Sequence, residues 1–127
     1  MRFTFILILT FFALPAIAND VQPVSEVEPD IAEENMETAY NAILRKLDRI
    51  SETRPEAAST RIRFVEAQQL WERYVTTVCA AESSLNRFRG SRQEAFEKIL
   101  QIQCRGVHAQ AHADHLNNYL ERILPEV

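Results

Sequence analysis

Glycine and proline are scarce in this chain of 127 residues, which contains two glycines and five prolines. A domain built from many strands needs frequent tight turns, and turns draw heavily on these two residues. Their scarcity argues against an all-β fold and favours long helices. We therefore predict an all-α fold, an antiparallel bundle of three main helices with one disulfide.

The sequence signatures of common enzyme sites are also lacking. There is no glycine-rich phosphate loop, no H-E-x-x-H, no G-x-S-x-G and no C-x-x-C. Acidic side chains are plentiful, but they fall on expected helix faces and in first turns, where solvation and the helix dipole account for them. We predict that the protein is not an enzyme and uses no cofactor.

Long apolar runs are confined to the N-terminus. Arg2 precedes an apolar run over residues 3–12, and Ala16-Ile17-Ala18 forms an A-x-A cleavage motif before Asn19. This pattern is typical of a secretory signal peptide at residues 1–18, and the run is too short to span a bilayer. An uncleaved N-terminal anchor is the alternative. Export predicts a periplasmic or secreted protein that has no membrane association after the signal is removed.

The rest of the chain is acidic. Removal of the signal peptide takes away one charged side chain, Arg2, which leaves 13 basic and 18 acidic residues and a net charge of −5. Such a protein is a poor partner for nucleic acid but suits a basic protein. We expect residues 19–29 to form a flexible lead-in and residues 30–124 to form a single helical domain.

Three helices are expected, at about Asp30–Ser51, Pro55–Ser84 and Ser91–Leu124. Asp30 with Glu33, and Ser91 with Glu94, have the spacing of N-terminal capping boxes. Gly106 lies inside the third helix, where it costs about 1 kcal/mol relative to alanine. Its position predicts a bend or a close contact between helices.

The second helix carries the bulkiest apolar stripe of the chain and its single tryptophan, Trp71. The stripe recurs at intervals of three and four and consists of Phe64, Ala67, Gln68, Trp71, Tyr74, Val75, Val78 and Glu82. A stripe this wide must be buried against another element. We therefore expect the segment from Phe64 to Cys79 to form the centre of the core.

The midpoint between the two cysteines falls between residues 91 and 92, beside the expected turn at Gly90-Ser91. Residues equidistant from the turn face each other in an antiparallel helical hairpin, and an oxidising compartment favours pairing. We predict a Cys79–Cys104 disulfide worth about 3 kcal/mol in the chain-entropy account. A free thiol or an intermolecular link is the alternative.

All three histidines, His108, His112 and His115, lie on one face of the third helix. Such a face could bind a divalent metal or act as a pH-sensitive charge patch. A solvated, histidine-rich face is the simpler interpretation, because one helix alone seldom completes a metal site. We predict no tight metal site and keep the three residues as candidate ligands.

Several positions together resemble a known family. The pattern A-Q-x-x-W-x-x-Y-x-x-x-x-C is filled by Ala67, Gln68, Trp71, Tyr74 and Cys79. A first-helix pattern is filled by Met36, Ala39, Tyr40, Leu44 and Leu47, and Gln103-Cys104 fits the second cysteine. From about Glu34 to Leu120 the chain is similar to the small exported bacterial domain named after the N-terminal part of the LprI lysozyme inhibitor. The resemblance implies an exported α-helical domain whose core motif is Gln68, Trp71 and Tyr74, with inhibition of lysozyme as its activity.

The chain departs from the family pattern at charged positions. Val75-Thr76 stand where the family has an Arg-Asp pair, and the segment from His108 to His112 replaces L-T-x-x-R. A further cysteine that the family often has near the start of the first helix is absent. The hydrophobic and disulfide frame is kept, whereas these charged positions differ.

We expect an exported, non-enzymatic protein-binding module whose partner is a basic, lysozyme-type peptidoglycan hydrolase. The expected binding element is the connection from Ser83 to Ser91, where Arg87 and Arg89 flank Phe88. The guanidinium groups could pair with catalytic acids and the ring could act as an apolar anchor. These residues could instead only solvate a turn. The acidic first turn of the first helix is the next candidate, with Glu33, Glu34 and Glu37.

Two other functions fit the same sequence. The chain could be a periplasmic immunity protein against a delivered toxin. It could also be a metal- or pH-responsive periplasmic factor that uses the face formed by His108, His112 and His115.

Overall fold

Three long helices account for most of the computed structural model, which describes residues 27–90, 94–122 and 124. Helix α1 spans Pro29–Ser51, α2 spans Glu56–Leu85 and α3 spans Glu94–Arg122, and a 3-10 helix at Asn86–Arg89 follows α2. The predicted all-α bundle of three helices is confirmed. The predicted signal peptide, residues 19–26 of the lead-in and the capping residue Ser91 lie outside the described residues.

The start of α1 differs from the prediction. Asp30 was expected to cap the helix, but the helix begins at Pro29, and Glu28 precedes it without a side-chain capping hydrogen bond. Proline suits the first helical position because its φ angle is already helical and no donor is lost there. The predicted capping box is therefore wrong, and Glu33 forms a salt bridge with Arg105 instead.

The buried core lies mainly between α1 and α3. Its members are small or aliphatic and recur at helical spacing: Ala32, Met36, Ala39, Ile43 and Leu47 on α1, and Ala109, Ala113 and Leu116 on α3. Alanines at these positions allow the two helices to approach closely. The core is thus centred on α1, which packs against the N-terminal half of α2 and the C-terminal half of α3.

The prediction that the segment from Phe64 to Cys79 forms the centre of the core is wrong. Val75 and Cys79 are fully buried, but Phe64 and Trp71 are only partly buried and pack at the edge of the core. Tyr74 is 58% exposed, so it is not a core residue. Helix α2 carries apolar side chains on more than one side, and only part of its stripe meets the other helices.

Helices α2 and α3 form a hairpin that keeps one register from the disulfide to the end far from the turn. Cys79 is bonded to Cys104, and Trp71 contacts His112 and Phe64 contacts Tyr119 further from the turn. Each of these pairs is centred on the same point of the sequence, between residues 91 and 92. The antiparallel arrangement that the cysteine spacing predicted therefore extends far beyond the cysteines themselves.

Helix α1 runs parallel to α3 and covers only half of the hairpin. Its first turn lies beside Gly106, where an added β-carbon would come within 2.7 Å of the Cα of Pro29. Near its end, the Nζ of Lys46 donates a hydrogen bond to the carbonyl oxygen of Leu124 at 2.6 Å. The close contact predicted at Gly106 is confirmed. Beyond it, residues 77–90 and 94–104 form a two-helix arm, called the distal arm below.

No helix within the described ranges combines the length and the apolar character needed to cross a lipid bilayer.

Candidate functional site

The α2 side of the distal arm ends at Gly90. Helix α2 continues into the 3-10 helix Asn86–Arg89, and Gly90 follows it with a φ angle of 91°. This left-handed conformation is easily adopted only by glycine, because other residues carry a β-carbon that clashes there. Gly90, which the sequence placed at a turn, thus ends the 3-10 helix in a conformation that suits glycine.

Three interactions hold the two helices of the arm together. The Cys79–Cys104 disulfide, predicted from spacing, is formed, with Cα atoms 5.6 Å apart, and neither cysteine is free. Nearer the tip, the Nε2 of Gln101 donates a hydrogen bond to the Oγ of Ser83 at 3.0 Å. Ser83 is buried, so this bond satisfies a polar group that has left water.

The third interaction joins Arg87 to Glu97 at the tip. Two parallel hydrogen bonds run from the guanidinium, Nε to Oε1 at 2.5 Å and Nη2 to Oε2 at 2.8 Å. The bonds from Arg87 hold the pKa of Glu97 below its ordinary value and raise the pKa of Arg87. Arg87 was predicted as a binding residue, whereas its partner Glu97 was missed. The cysteine register could have indicated its neighbourhood, because it places residue 96, directly beside Glu97, opposite residue 87.

Phe88 lies beside this ion pair and is 87% exposed. Leu85, one turn earlier, is also exposed, as are Phe96, Ile99 and Ile102 on the α3 side of the arm. Exposed apolar side chains on a protruding element are typical of protein-binding surfaces. The structure thus brings Arg87 and Phe88 together at the tip, in the predicted connection. The side chain of Arg89, the third predicted binding residue, lies outside the described part of the structure.

The other candidate, the acidic group Glu33, Glu34 and Glu37, lies after the first turn of α1, and one of its members already forms an ion pair. Glu33 accepts a hydrogen bond from the Nε of Arg105 at 3.1 Å, and Glu72 of α2 accepts one from its Nη2 at 3.3 Å. Arg105 therefore joins all three helices at the base of the arm. Glu34 and Glu37 are exposed.

Each histidine of α3 contacts its own aromatic partner. The ring of His112 stacks on Trp71, His108 meets the ring of Tyr74 edge to face, and His115 meets Tyr119 in the same way. The Nε2–H of His112 also donates to the Oε1 of Gln68 at 3.0 Å, while the Nε2 of Gln68 donates to the sulfur of Met36. Two of the three residues of the predicted motif, Gln68 and Trp71, thus serve to hold His112.

His112 is shifted toward its neutral form. Burial lowers its pKa, and the nearby His115 acts in the same direction, while Glu72 opposes both. An imidazole packed flat against an indole has lost part of its water shell, which disfavours the charged ring.

Within the described ranges, one set of three potential metal ligands comes together, formed by Cys79, Cys104 and His108. Their donor atoms lie within 4.8 Å of one another. Both sulfurs belong to the disulfide, however, and thiolates rather than disulfides are the sulfur ligands of zinc. His108, His112 and His115 do not form such a set. The absence of a tight metal site stays a prediction.

Comparison with known proteins identifies the family. A search of curated proteins and a search of solved structures each found no match. The family model described as "Lysozyme inhibitor LprI" matches residues 20–118, which is most of the chain and includes all three helices up to the last turn of α3. The chain therefore belongs to the LprI lysozyme inhibitor family.

Proposed function

We propose that this protein is an exported, non-enzymatic inhibitor of a lysozyme-type peptidoglycan hydrolase, and that it binds the enzyme through the tip of the distal arm. Three observations support the proposal: membership of the LprI family, the signal-peptide pattern of residues 1–18, and the exposed ring of Phe88 on a cross-linked arm. We choose the tip of the distal arm as the binding surface because the ring of Phe88 is exposed there. The periplasm or the extracellular medium is the compartment in which such an inhibitor meets its target.

A cross-linked arm suits insertion into a cleft. The disulfide, the Ser83–Gln101 hydrogen bond and the Arg87–Glu97 pair restrict the arm before any partner arrives. A restricted element loses little conformational entropy on binding, so more of the contact energy appears as affinity. A short tip of this kind can enter a substrate cleft that a broad, flat surface cannot enter.

Phe88 and Arg87 have different roles in the proposal. The exposed ring of Phe88 supplies an apolar anchor that becomes buried in the complex. Arg87 is held by Glu97, which leaves three of its five N–H donors for a carboxylate of the enzyme. Glu97 reduces the charge that Arg87 presents, so Arg87 acts chiefly by orienting the tip and Phe88 provides most of the binding energy.

The charge of the whole chain favours encounter with a basic enzyme. A net charge of −5 after signal removal attracts a positively charged hydrolase and raises the association rate. Salt weakens this attraction because the Debye length falls to about 8 Å at physiological ionic strength. Inhibition should therefore be stronger at low salt, through faster association.

A cell-wall lysis assay tests the proposal. Purified mature protein is added to several lysozyme-type enzymes, both at low and at physiological salt. Inhibition by the natural sequence is expected, with a marked loss in Phe88→Asp and a smaller loss in Arg87→Ala. Ile62→Asp is the matched control. Ile62 is an exposed apolar residue, as Phe88 is, but it lies near the start of α2, far from the tip.

Two results would count against parts of the proposal. Full lysis at a large molar excess of the natural protein rejects inhibition. If Phe88→Asp and the double variant Arg87→Ala/Arg89→Ala inhibit as well as the natural protein, the protein is an inhibitor but its binding site is not the tip. Glu34 and Glu37 of α1 are then the next residues to change.

A further inference from the structure

A cavity of about 410 Å³ lies at the end of the bundle opposite the distal arm. All three helices line it, and its apolar wall is formed by Tyr40 of α1, Phe64 of α2, and Leu116 and Tyr119 of α3. Its volume falls within the range of about 300–1,000 Å³ that small-molecule sites occupy. None of these residues belongs to the arm used in the proposed inhibition.

The walls of the cavity are held in place by contacts with one another. The rings of Phe64 and Tyr119 meet edge to face, with centroids 5.9 Å apart and planes at 89°. The hydroxyl of Tyr119 lies 3.1 Å from the Nε2 of His115, which also lines the cavity. A cavity whose aromatic walls are fixed in this way is formed before a ligand binds, so a ligand spends little free energy on ordering it.

The charge at the cavity is positive, although the chain as a whole is acidic. Arg63 lines the cavity, and no carboxylate stands among the lining residues that the structure describes. Nor does Arg63 form a salt bridge with any acidic group in the described ranges. An apolar cavity with one available guanidinium at its edge complements a ligand that has a hydrocarbon body and an anionic head.

We propose that this cavity binds a small amphipathic carboxylate, with its hydrocarbon part against Phe64, Leu116 and Tyr119 and its carboxylate paired with Arg63. Burial of the hydrocarbon away from water is favourable, and the guanidinium donates two hydrogen bonds to the two carboxylate oxygens in a fork geometry. Arg63 is exposed to solvent, so its ion pair with the carboxylate is partly screened and adds little binding free energy. Its main effect is a preference for anionic over uncharged ligands.

The protein contains its own reporter for this site. His112 lines the cavity and stacks on Trp71, the single tryptophan of the chain. A ligand that enters the cavity contacts His112 and changes the surroundings of the indole. Binding should therefore change the fluorescence of Trp71, and calorimetry gives the stoichiometry independently.

The experiment uses the mature protein with octanoate as an aliphatic probe and 2-naphthoate as an aromatic one. Saturable binding of at least one of them is expected at one ligand per chain, and 1-octanol, which lacks the charge, should bind about threefold more weakly than octanoate. Arg63→Gln should lower carboxylate affinity by a similar factor. Arg73→Gln is the matched control, an exposed arginine of the same helix outside the cavity.

A second variant tests the cavity itself. Ala67 lines it and is exposed, so Ala67→Leu fills space without disturbing the core and should abolish binding while the melting temperature is kept. The proposal is overturned if neither probe binds saturably at concentrations up to the order of 1 mM. It is also overturned if Ala67→Leu binds as well as the natural protein, or if octanol and octanoate bind equally well.

Discussion

The indole ring of Trp71 lies flat against the imidazole ring of His112, with centroids 4.5 Å apart and planes inclined by 15°. This stack joins the middle of α2 to the middle of α3, and Gln68 holds the same imidazole by a hydrogen bond. The two motif residues therefore position the third helix from the edge of the core. Sequence spacing alone suggested that Trp71 lay at the centre of the core.

Replacement of Trp71 by alanine should lower the free energy of unfolding by roughly 2–3 kcal/mol. Full burial of a tryptophan would give about 3–5 kcal/mol, and the loss is smaller here because the ring is only partly buried. Urea denaturation followed by circular dichroism measures the change. Tyr74→Ala is the control, since Tyr74 is mostly exposed and should cost about 0.5 kcal/mol or less. Equal losses in the two variants would contradict the partial burial of Trp71.

The stability of the protein should fall as the pH is lowered through the titration range of His112. In the folded state its pKa lies below the ordinary value of 6.5, so the unfolded chain takes up the proton first. The free energy of unfolding should therefore decrease from about pH 7 downward and level off below the folded pKa. Glu97, whose pKa is lowered from 4.5, acts at more acidic pH and does not obscure this window.

Denaturation curves between about pH 7.5 and pH 5 check this dependence. His112→Gln should be less stable at the upper pH because the stack is lost, yet its stability should change less with pH. His108→Gln removes an imidazole from the same face and serves as the control. An unchanged slope in His112→Gln would show that the pH dependence has another origin.

Arg105 should contribute to stability by joining three helices. Its bonds to Glu33 and Glu72 are partly exposed, so solvent screens them and the loss in Arg105→Met should be about 1–2 kcal/mol. The loss should shrink in about 1 M salt, where the Debye length is about 3 Å. Arg73→Met is the control, an exposed arginine that should change stability by about 0.5 kcal/mol or less. A loss that salt does not affect would indicate packing instead of charge.

Alanine at Gly106 should destabilise the protein although it favours the helix. The higher helix propensity of alanine contributes about 1 kcal/mol. The new β-carbon, however, would lie 2.7 Å from the Cα of Pro29 and 2.9 Å from its Cβ. Because backbone must move to relieve this contact, we expect a net loss of about 1–2 kcal/mol by thermal or urea denaturation. A more stable Gly106→Ala variant would show that α1 does not pack here as described.

The hairpin could be predicted from the sequence because its register depends on few quantities. Two straight antiparallel helices and one turn fix which residues face each other, so Cys79 and Cys104 located the register for the whole hairpin. The same reasoning, applied to Arg87, leads to residue 96, directly beside its partner Glu97. Gly106 also indicated a close approach. A glycine inside a helix lowers its stability, so it is expected where a neighbouring element leaves no room for a β-carbon.

The position of α1 could not be predicted in the same way. Its packing depends on Ala32 and Ala39, which are too small to stand out from the sequence beside the aromatic residues of α2. Part of the α2 stripe lies on or next to the distal arm, where α1 does not reach, so Tyr74 is exposed and Val78 is only partly buried. Hydrophobic spacing shows which residues share a helix face, but it does not show whether another helix covers that face.

Direct binding between the mature protein and a basic lysozyme-type hydrolase, measured by calorimetry, tests the central claim. The account predicts a saturable 1:1 complex whose affinity falls at least about tenfold in Phe88→Asp, because an apolar anchor buried in a cleft becomes a charge. Ile62→Asp should bind like the natural protein. Absence of binding to such enzymes at low salt, or full affinity in Phe88→Asp, would contradict inhibition through the tip of the distal arm.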